Sequence, residues 1–386
     1  MRVAHVITRM IVGGAQENTL FNCLDLEREH GDQVLLITGP SVGPEGDLLS
    51  QGRAGELRVS VVDTLCREIN PAKDLLAYWK IKRLIKEFQP DVVHTHSAKA
   101  GVLGRSAAWN LSVPAIIHTV HGAPFHQYQG SVTRSIFRLV ERWAAKRCHR
   151  IISVADAMTS LMVNSHVADE SKFVTIYSGM DVKPFLSARD ERLAIRSRYG
   201  IEDHHLVIGK IARLFRLKGH DDVIAAARNV IRHQPNARFL FVGDGVLRQT
   251  LQKRICDLGL DDFFIFTGLV DPSEVPSLIG AMDLLVHASY REGLARALPQ
   301  ALIAGIPVVS YDIDGAREVV LNHKTGVLVQ PGNIEALANG ILELSSNHKI
   351  RQQYGLQGRN LFTEQFDHRE MTRKIRDLYE EELEKA

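Results

Sequence analysis

The chain has little cysteine, almost no excess charge and no long apolar run. Its four cysteines, Cys23, Cys66, Cys148 and Cys256, lie far apart and form no C-x-x-C pair. A disulfide framework and a zinc knuckle are therefore not expected, and a reducing cytoplasm fits. Lys+Arg 47 against Asp+Glu 45 leaves a net charge of +2, too small a global field to draw the chain onto nucleic acid. No segment supplies the roughly 18 uninterrupted apolar residues that a transmembrane helix needs. The opening MRVAHVITRMIVGGAQ reads poorly as a signal peptide, because Arg9 interrupts its short apolar stretch. Contact with a membrane, if any, is expected to be peripheral, at the inner face. Short-period repeats and low-complexity tracts are absent as well.

What is present is an alternation. At 386 residues, with 45% hydrophobic and 24% charged residues, two domains with ample cores are expected. Strand-like runs appear as RVAHVIT, DQVLLIT, LRVSVVD, DVVHTHS, PAIIHTV, RIISVA and KFVTIYS. A second series reads LVIGKIARL, ARFLFVGDG, FFIFTGLV, DLLVHAS, PVVSYD and TGVLVQP. Helix-like segments separate most of them. This predicts an α/β chain of two successive doubly wound, Rossmann-like units, joined near residues 178–185. The closing segment is highly charged, with Phe362, Phe366 and Tyr379 spaced as a helical stripe. Open parallel sheets bind ligands beyond the carboxyl ends of their strands, so the chemistry is expected in loops that follow strands, in a cleft between the units.

Three such loops carry candidates. After the first strand, Gly13-Gly14 precede a helix whose first turn holds Gln16 and Glu17. Glycines there allow close backbone approach, and amides at a helix start favour phosphate. A plain strand-to-helix turn explains them equally well, and the pattern is not the G-x-G-x-x-G of nicotinamide-type sites. In the second unit IGKIARLFRLKGH places Arg213 and Lys218 after a strand. A planar fork beside a point charge suits a diphosphate, although two such cations are also ordinary on a surface. Then DLLVHAS runs into REGLARALPQALIAGIPVV. Pro299 is tolerated only in the first turn of a helix, so the helix should begin just before it. That leaves the amides near Gly293, Leu294 and Ala295 available to an anion. Glu292 beside a phosphate would be costly unless it bonded hydroxyls, which points to a sugar; a solvated or capping carboxylate is the plainer alternative. Gln300 falls one turn into the helix, placed to bond ribose hydroxyls.

Together GGAQ, HTHSAKAGVLGR, TVHGAPFH, SVADAM, YSGMD, ARLFRLKGH, FVGDG, FTGLV and REGLARALPQALIAGIPVV, in this order, resemble the retaining glycosyltransferases of family four, which have the GT-B architecture. The resemblance extends over nearly the whole chain. It implies a first domain over 1–180 on the acceptor side and a second over 181–367 binding a nucleotide-sugar donor. A helix over about 368–386 is expected to pack back on the first domain. It further implies transfer of a sugar from a UDP- or GDP-sugar to a hydroxyl of a saccharide or lipid-linked acceptor, with retention. By resemblance, Gly14 would approach the distal phosphate, and Arg213 and Lys218 would hold the diphosphate. Glu292 would stand at the first Glu of an E-x7-E signature near the donor sugar. The backbone from Gly268 to Val270 would face the base, and His121 would lie near the transferred sugar. The second Glu of the signature is replaced by Gln300, which can bond ribose but brings no charge. A non-hydrolysing sugar-nucleotide epimerase and a catalytically degenerate binding module are the rival readings.

Three further features have a bland alternative. His94 and His96 share one strand face, and His118 and His121 follow the next strand; four imidazoles suggest zinc, but no carboxylate or thiolate completes the set, so packing near the cleft is preferred. Asp312-Ile313-Asp314 spells D-x-D, yet capping by Asp314 is the simpler reading. Neither a cofactor nor a divalent metal is expected. Finally, residues 131–150 repeat a base every four positions, Arg134, Arg138, Arg142, Lys146 and Arg150, with Ile136, Phe137, Val140 and Trp143 as apolar bulk. Such a helix can lie on an anionic membrane; a solvated face on a helix covering the sheet is the alternative.

Overall fold

A computed structural model describes residues 1–41, 46–49, 55 and 57–386. The chain divides into two compact units, Met1–Met180 with Phe366–Ala386, and Asp181–Gln365. The first contains β1 (Arg2–Arg9), β2 (Gln33–Gly39), β3 (Arg58–Val61), β4 (Val92–His96), β5 (Ala115–Val120), β6 (Arg150–Ser153) and β7 (Phe173–Thr175). They form a seven-stranded sheet in the order β3-β2-β1-β4-β5-β6-β7, and the ladders between them are parallel. The second contains β8 (Leu206–Ile211), β9 (Ala237–Val242), β10 (Phe264–Gly268), β11 (Leu284–His287), β12 (Val308–Tyr311) and β13 (Gly326–Val329). Their order is β10-β9-β8-β11-β12-β13.

The sequence dictates this arrangement through burial. Val34, Leu35, Leu36 and Ile37 are consecutive in β2 and all buried, which only a sheet covered on both faces permits. Local signals set helix starts. Asn70 accepts from the Lys73 amide, with Pro71 in the first position of the helix Pro71–Phe88. Asn347 and Asp367 cap the helices His348–Phe362 and His368–Leu383 in the same way.

The last helix closes the first unit. Asp25 Oδ2, on the helix Gly14–Arg28, lies 2.7 Å from His368 Nδ1 and accepts from Thr372 Oγ1 at 3.0 Å. Met371, Ile375 and Tyr379 of the closing helix join the core built on β1, β2 and β4. Among the described residues no helix is long and apolar enough to cross a membrane.

In each sheet the strand order reverses once, between β1 and β4 and between β8 and β11. Loops leaving these adjacent strands diverge to opposite sides, which opens a crevice at the carboxyl edge. Gly14 follows β1, Lys218 follows β8 and Glu292 follows β11.

Candidate functional site

The second unit concentrates charge at its reversal point. Lys218 Nζ donates to Glu292 Oε1 at 2.5 Å, and both side chains are only about one-fifth exposed. His287 Nε2, at the end of β11, lies 3.6 Å from the same carboxylate oxygen. Burial, the largest single influence, would raise the Glu292 pKa, but the Lys218 and His287 electrostatics and the hydrogen bonds from Lys218 and Ser289 together outweigh it and hold the carboxyl below its ordinary value. Burial pushes His287 down to about 3, so it stands neutral.

The loop that presents Lys218 is held by its backbone. Leu217 and Gly219, on either side of it, both take left-handed conformations, with φ of 66° and 62°. A Cβ at Gly219 would sit 1.8 Å from the Ala288 carbonyl oxygen, so only glycine lets the loop pass under β11. The Tyr290 amide donates to the Leu217 carbonyl at 2.8 Å, joining the two loops directly. Beneath them Lys210 Nζ donates to the Lys218 carbonyl at 2.8 Å. Asp222 Oδ2 accepts from both Tyr290 and Tyr311 hydroxyls, at 2.6 and 2.7 Å.

Arg213 lies in the same loop, its guanidinium 5.1 Å from the Phe215 ring centre. Its backbone carbonyl is 3.0 Å from His220 Nε2. The helix behind Glu292 begins at Ala297, so Gly293, Leu294 and Ala295 precede it, and Pro299 sits in its first turn. Gln300 is half-buried, its backbone N–H donating to the Arg296 carbonyl. Gly268 ends β10 with a φ of 74°, and Val270 follows at the same carboxyl edge.

One expectation needs correction here. Asp314 does not cap the helix that follows it, Ala316–Val319, which has no side-chain cap. Its Oδ2 instead accepts from the Glu292 amide at 2.7 Å, fixing the turn that carries the carboxylate, while Asp312 pairs with Arg317 at 2.6 Å.

The first unit holds a row of imidazoles, and its membership also differs from expectation. His118 lies on β5 opposite Thr95, whose hydroxyl is 2.9 Å from its Nδ1. It therefore sits on the other face from His94 and His96, and the four-imidazole set divides. His5 of β1 takes the vacant place, in register with His94. His5 Nδ1 is 3.0 Å from His96 Nε2, and His96 Nδ1 is 3.2 Å from His121 Nε2. One nitrogen from each of His5, His94 and His96 lies within 4.8 Å of the others. His94 is held otherwise, by Tyr379 at 2.5 Å and Thr119 at 2.7 Å. Burial lowers the pKa of all three, so they stay neutral. A histidine inside the apolar strand RVAHVIT was the available signal for His5; the charged residue inside LVIGKIARL was the signal for Lys210.

The basic helix, Ser131–Ala145, buries only Glu141, Ala144 and Ala145. Val132, Ile136, Leu139, Val140 and Trp143 are exposed, from 38% to 72%. These five large apolar side chains do not cover the sheet.

Known proteins show the same plan. Residues 12–183 match the family model described as Glycosyltransferase Family 4, and residues 191–361 the one described as Glycosyl transferases group 1. The chain is 28% identical over 382 residues to the UDP-Gal:alpha-D-GlcNAc-diphosphoundecaprenol alpha-1,3-galactosyltransferase of Escherichia coli, covering 98% of this chain and 96% of that one. The crystal structure of Anabaena HepE in complex with UDP superposes with a TM-score of 0.82 at 21% identity, covering 99% of this chain and all of that one. WaaG, described as a glycosyltransferase involved in lipopolysaccharide biosynthesis, superposes at 0.75 with 16% identity, covering 98% of this chain and 99% of that one. The two Rossmann-like units match these two glycosyltransferase domain models in series, and the chain has the GT-B fold.

Proposed function

We propose that the protein transfers a sugar from a nucleotide-diphosphate sugar, UDP- or GDP-linked, to a hydroxyl of a saccharide or lipid-linked acceptor, with retention of anomeric configuration and without a divalent metal. The second unit takes the donor and the first the acceptor. The observation that carries this reading is the Lys218–Glu292 pair at the strand-order reversal of the second sheet. An ammonium has three donors, so Lys218 can keep Glu292 and still meet a phosphate. Arg213 on the same loop adds a second cation. Negative charge develops on the diphosphate as it departs, and preorganised cations at that point lower the barrier. Glu292, fixed through its amide by Asp314, faces the sugar. Gln300 serves the ribose and the backbone from Gly268 to Val270 the base; in the first unit Gly14 is assigned to phosphate and His121 to sugar.

The Escherichia coli relative's name specifies a UDP-galactose donor and a diphosphate-linked polyprenol acceptor. The exposed apolar and basic helix Ser131–Ala145 suits such an acceptor at an anionic membrane. The test is incubation of the purified protein with UDP-galactose, UDP-glucose, UDP-N-acetylglucosamine or GDP-mannose and a lipid-diphosphate monosaccharide, with and without EDTA. An α-linked product from an α-linked donor, formed in EDTA, is expected. Conversion of donor with no acceptor would favour the epimerase, and an absolute need for manganese would refute the cation roles given to Lys218 and Arg213.

A further inference from the structure

A buried lysine stands directly behind the loop that carries Lys218. Lys210 lies inside β8 with 1% of its surface exposed, and its Nζ donates to the Lys218 carbonyl at 2.8 Å. A buried ammonium is unstable unless anions compensate it. The groups that face it do so only in part. Lys218 on its own loop opposes its charge, while Glu292 after β11 and Asp222 in the helix His220–His233 favour it. His220 and His287 border the same space, and burial keeps both neutral. Glu292 is already engaged by Lys218 at 2.5 Å, and Asp222 by the hydroxyls of Tyr290 and Tyr311. The empty site therefore balances on the edge of holding one more positive charge. Burial, and after it the Lys218 charge, pulls the Lys210 pKa from 10.5 to about 7.

We infer that Lys210 takes up a proton from solvent when a diphosphate docks on Lys218 and returns it when the nucleoside diphosphate leaves, so that this buried side chain couples occupancy of the site to pH. The inference rests on the donor site proposed above. A docked diphosphate adds negative charge a few ångströms from Lys210 and supplies the compensation that Glu292 and Asp222 lack. The site then carries one more cation while the nucleotide is bound than it does when empty. Anion affinity is greatest where Lys210 is already charged, at and below neutral pH. It falls as pH rises through the free-state pKa, by at most about tenfold per pH unit.

Calorimetric titration of UDP into the intact protein, in two buffers of different ionisation enthalpy, reads this directly. At about pH 8.5, well above the phosphate's own ionisation, the wild type should absorb more than about half a proton per UDP bound. Lys210→Met and Lys210→Gln, the second retaining a donor for the Lys218 carbonyl, should bind UDP with no such uptake and with a flatter pH profile. Binding by the wild type without uptake, or uptake that survives both substitutions, overturns the coupling.

A ligand-free arm separates this failure from failure of the donor site. Because the folded pKa is depressed, the unfolded chain binds more protons than the folded one between about pH 7 and about 10.4. Lys210 should therefore make wild-type stability rise with pH across that window, and Lys210→Met should lose the rise. Equal profiles overturn the inference whatever UDP does. If the profiles differ and the wild type binds neither UDP nor GDP, the donor site is refuted and the coupling with it.

Discussion

Replacing Lys218 by methionine removes one ammonium and keeps most of the side-chain bulk. The ammonium lies 2.5 Å from Glu292 Oε1, with the two side chains 21% and 19% exposed. An exposed pair would be worth at most about 1 kcal/mol, and breaking a fully buried one costs about 3–5 kcal/mol. This pair stands between, and Glu292 can relieve its isolation by taking up a proton. A loss of about 1–2 kcal/mol follows, or a fall in Tm of about 2–8 °C for a unit of this size. If Lys218 also meets charge on the departing diphosphate, turnover falls much further, by about 10²- to 10³-fold, equivalent to about 2.7–4 kcal/mol at the barrier.

The two effects separate in a double variant. Glu292→Gln added to Lys218→Met removes the stranded carboxylate, so part of the lost stability should return while turnover stays lost. The required measurements are calorimetric Tm, UDP affinity and turnover at saturating donor. The stability gap between wild type and Lys218→Met also has a pH signature. The Glu292 pKa is depressed in the folded state, so its contribution is present above the ordinary carboxylate value of about 4.3 and disappears as pH falls through the folded value. Turnover in Lys218→Met within about threefold of wild type, alongside the lower Tm, would reduce Lys218 to a structural partner and refute its placement in the chemistry.

Gly219→Ala should destabilise the second unit by at least about 2 kcal/mol, because its Cβ would meet the Ala288 carbonyl at 1.8 Å in a left-handed backbone; an unchanged melting curve would show that the loop can relax. Gln300→Glu should keep transfer within about tenfold, with altered donor affinity, and loss of activity in a well-folded variant would remove residue 300 from the ribose. Ile136→Glu combined with Trp143→Glu, both on the exposed face of the helix Ser131–Ala145, should weaken flotation with vesicles rich in phosphatidylglycerol while leaving activity on a soluble acceptor. Equal flotation by wild type and variant would assign that face another role.

The alternation of strand and helix was legible because parallel strands covered on both faces are written as short apolar runs, and each run named from the sequence overlaps one of the strands β1 to β13. Order across the sheet was not written there. His5 and His94 are far apart in the chain, and only the placement of β4 beside β1 brings them into register. Alternation along β5 likewise puts His118 with Thr95 and away from His94, which a reading that took the two strands' histidines as one set missed. The exposed apolar side of the helix Ser131–Ala145 was left open by the sequence, since an amphipathic pattern shows that a helix has two faces and not which one the sheet accepts.

The same distinction governs the charged site. Lys218 and Glu292 announce themselves because they occupy loops after strands, beside a glycine or ahead of a proline-marked helix start, where polar side chains have access to ligand. Lys210 has no such context. It interrupts an apolar strand, and from sequence alone it reads as a blemish in the hydrophobic pattern. A buried lysine gains chemical meaning only from what faces it: one carbonyl, one like charge, and two carboxylates already in use. Such a residue costs stability in the empty protein, since its folded pKa lies below its unfolded one. A bound anion recovers that cost, so Lys210→Met should raise Tm at neutral pH in the absence of ligand and diminish the Tm increase that saturating UDP produces. A variant less stable than wild type near pH 7, stabilised by UDP to the same extent, would mean that Lys210 is retained for its bond to the Lys218 carbonyl alone.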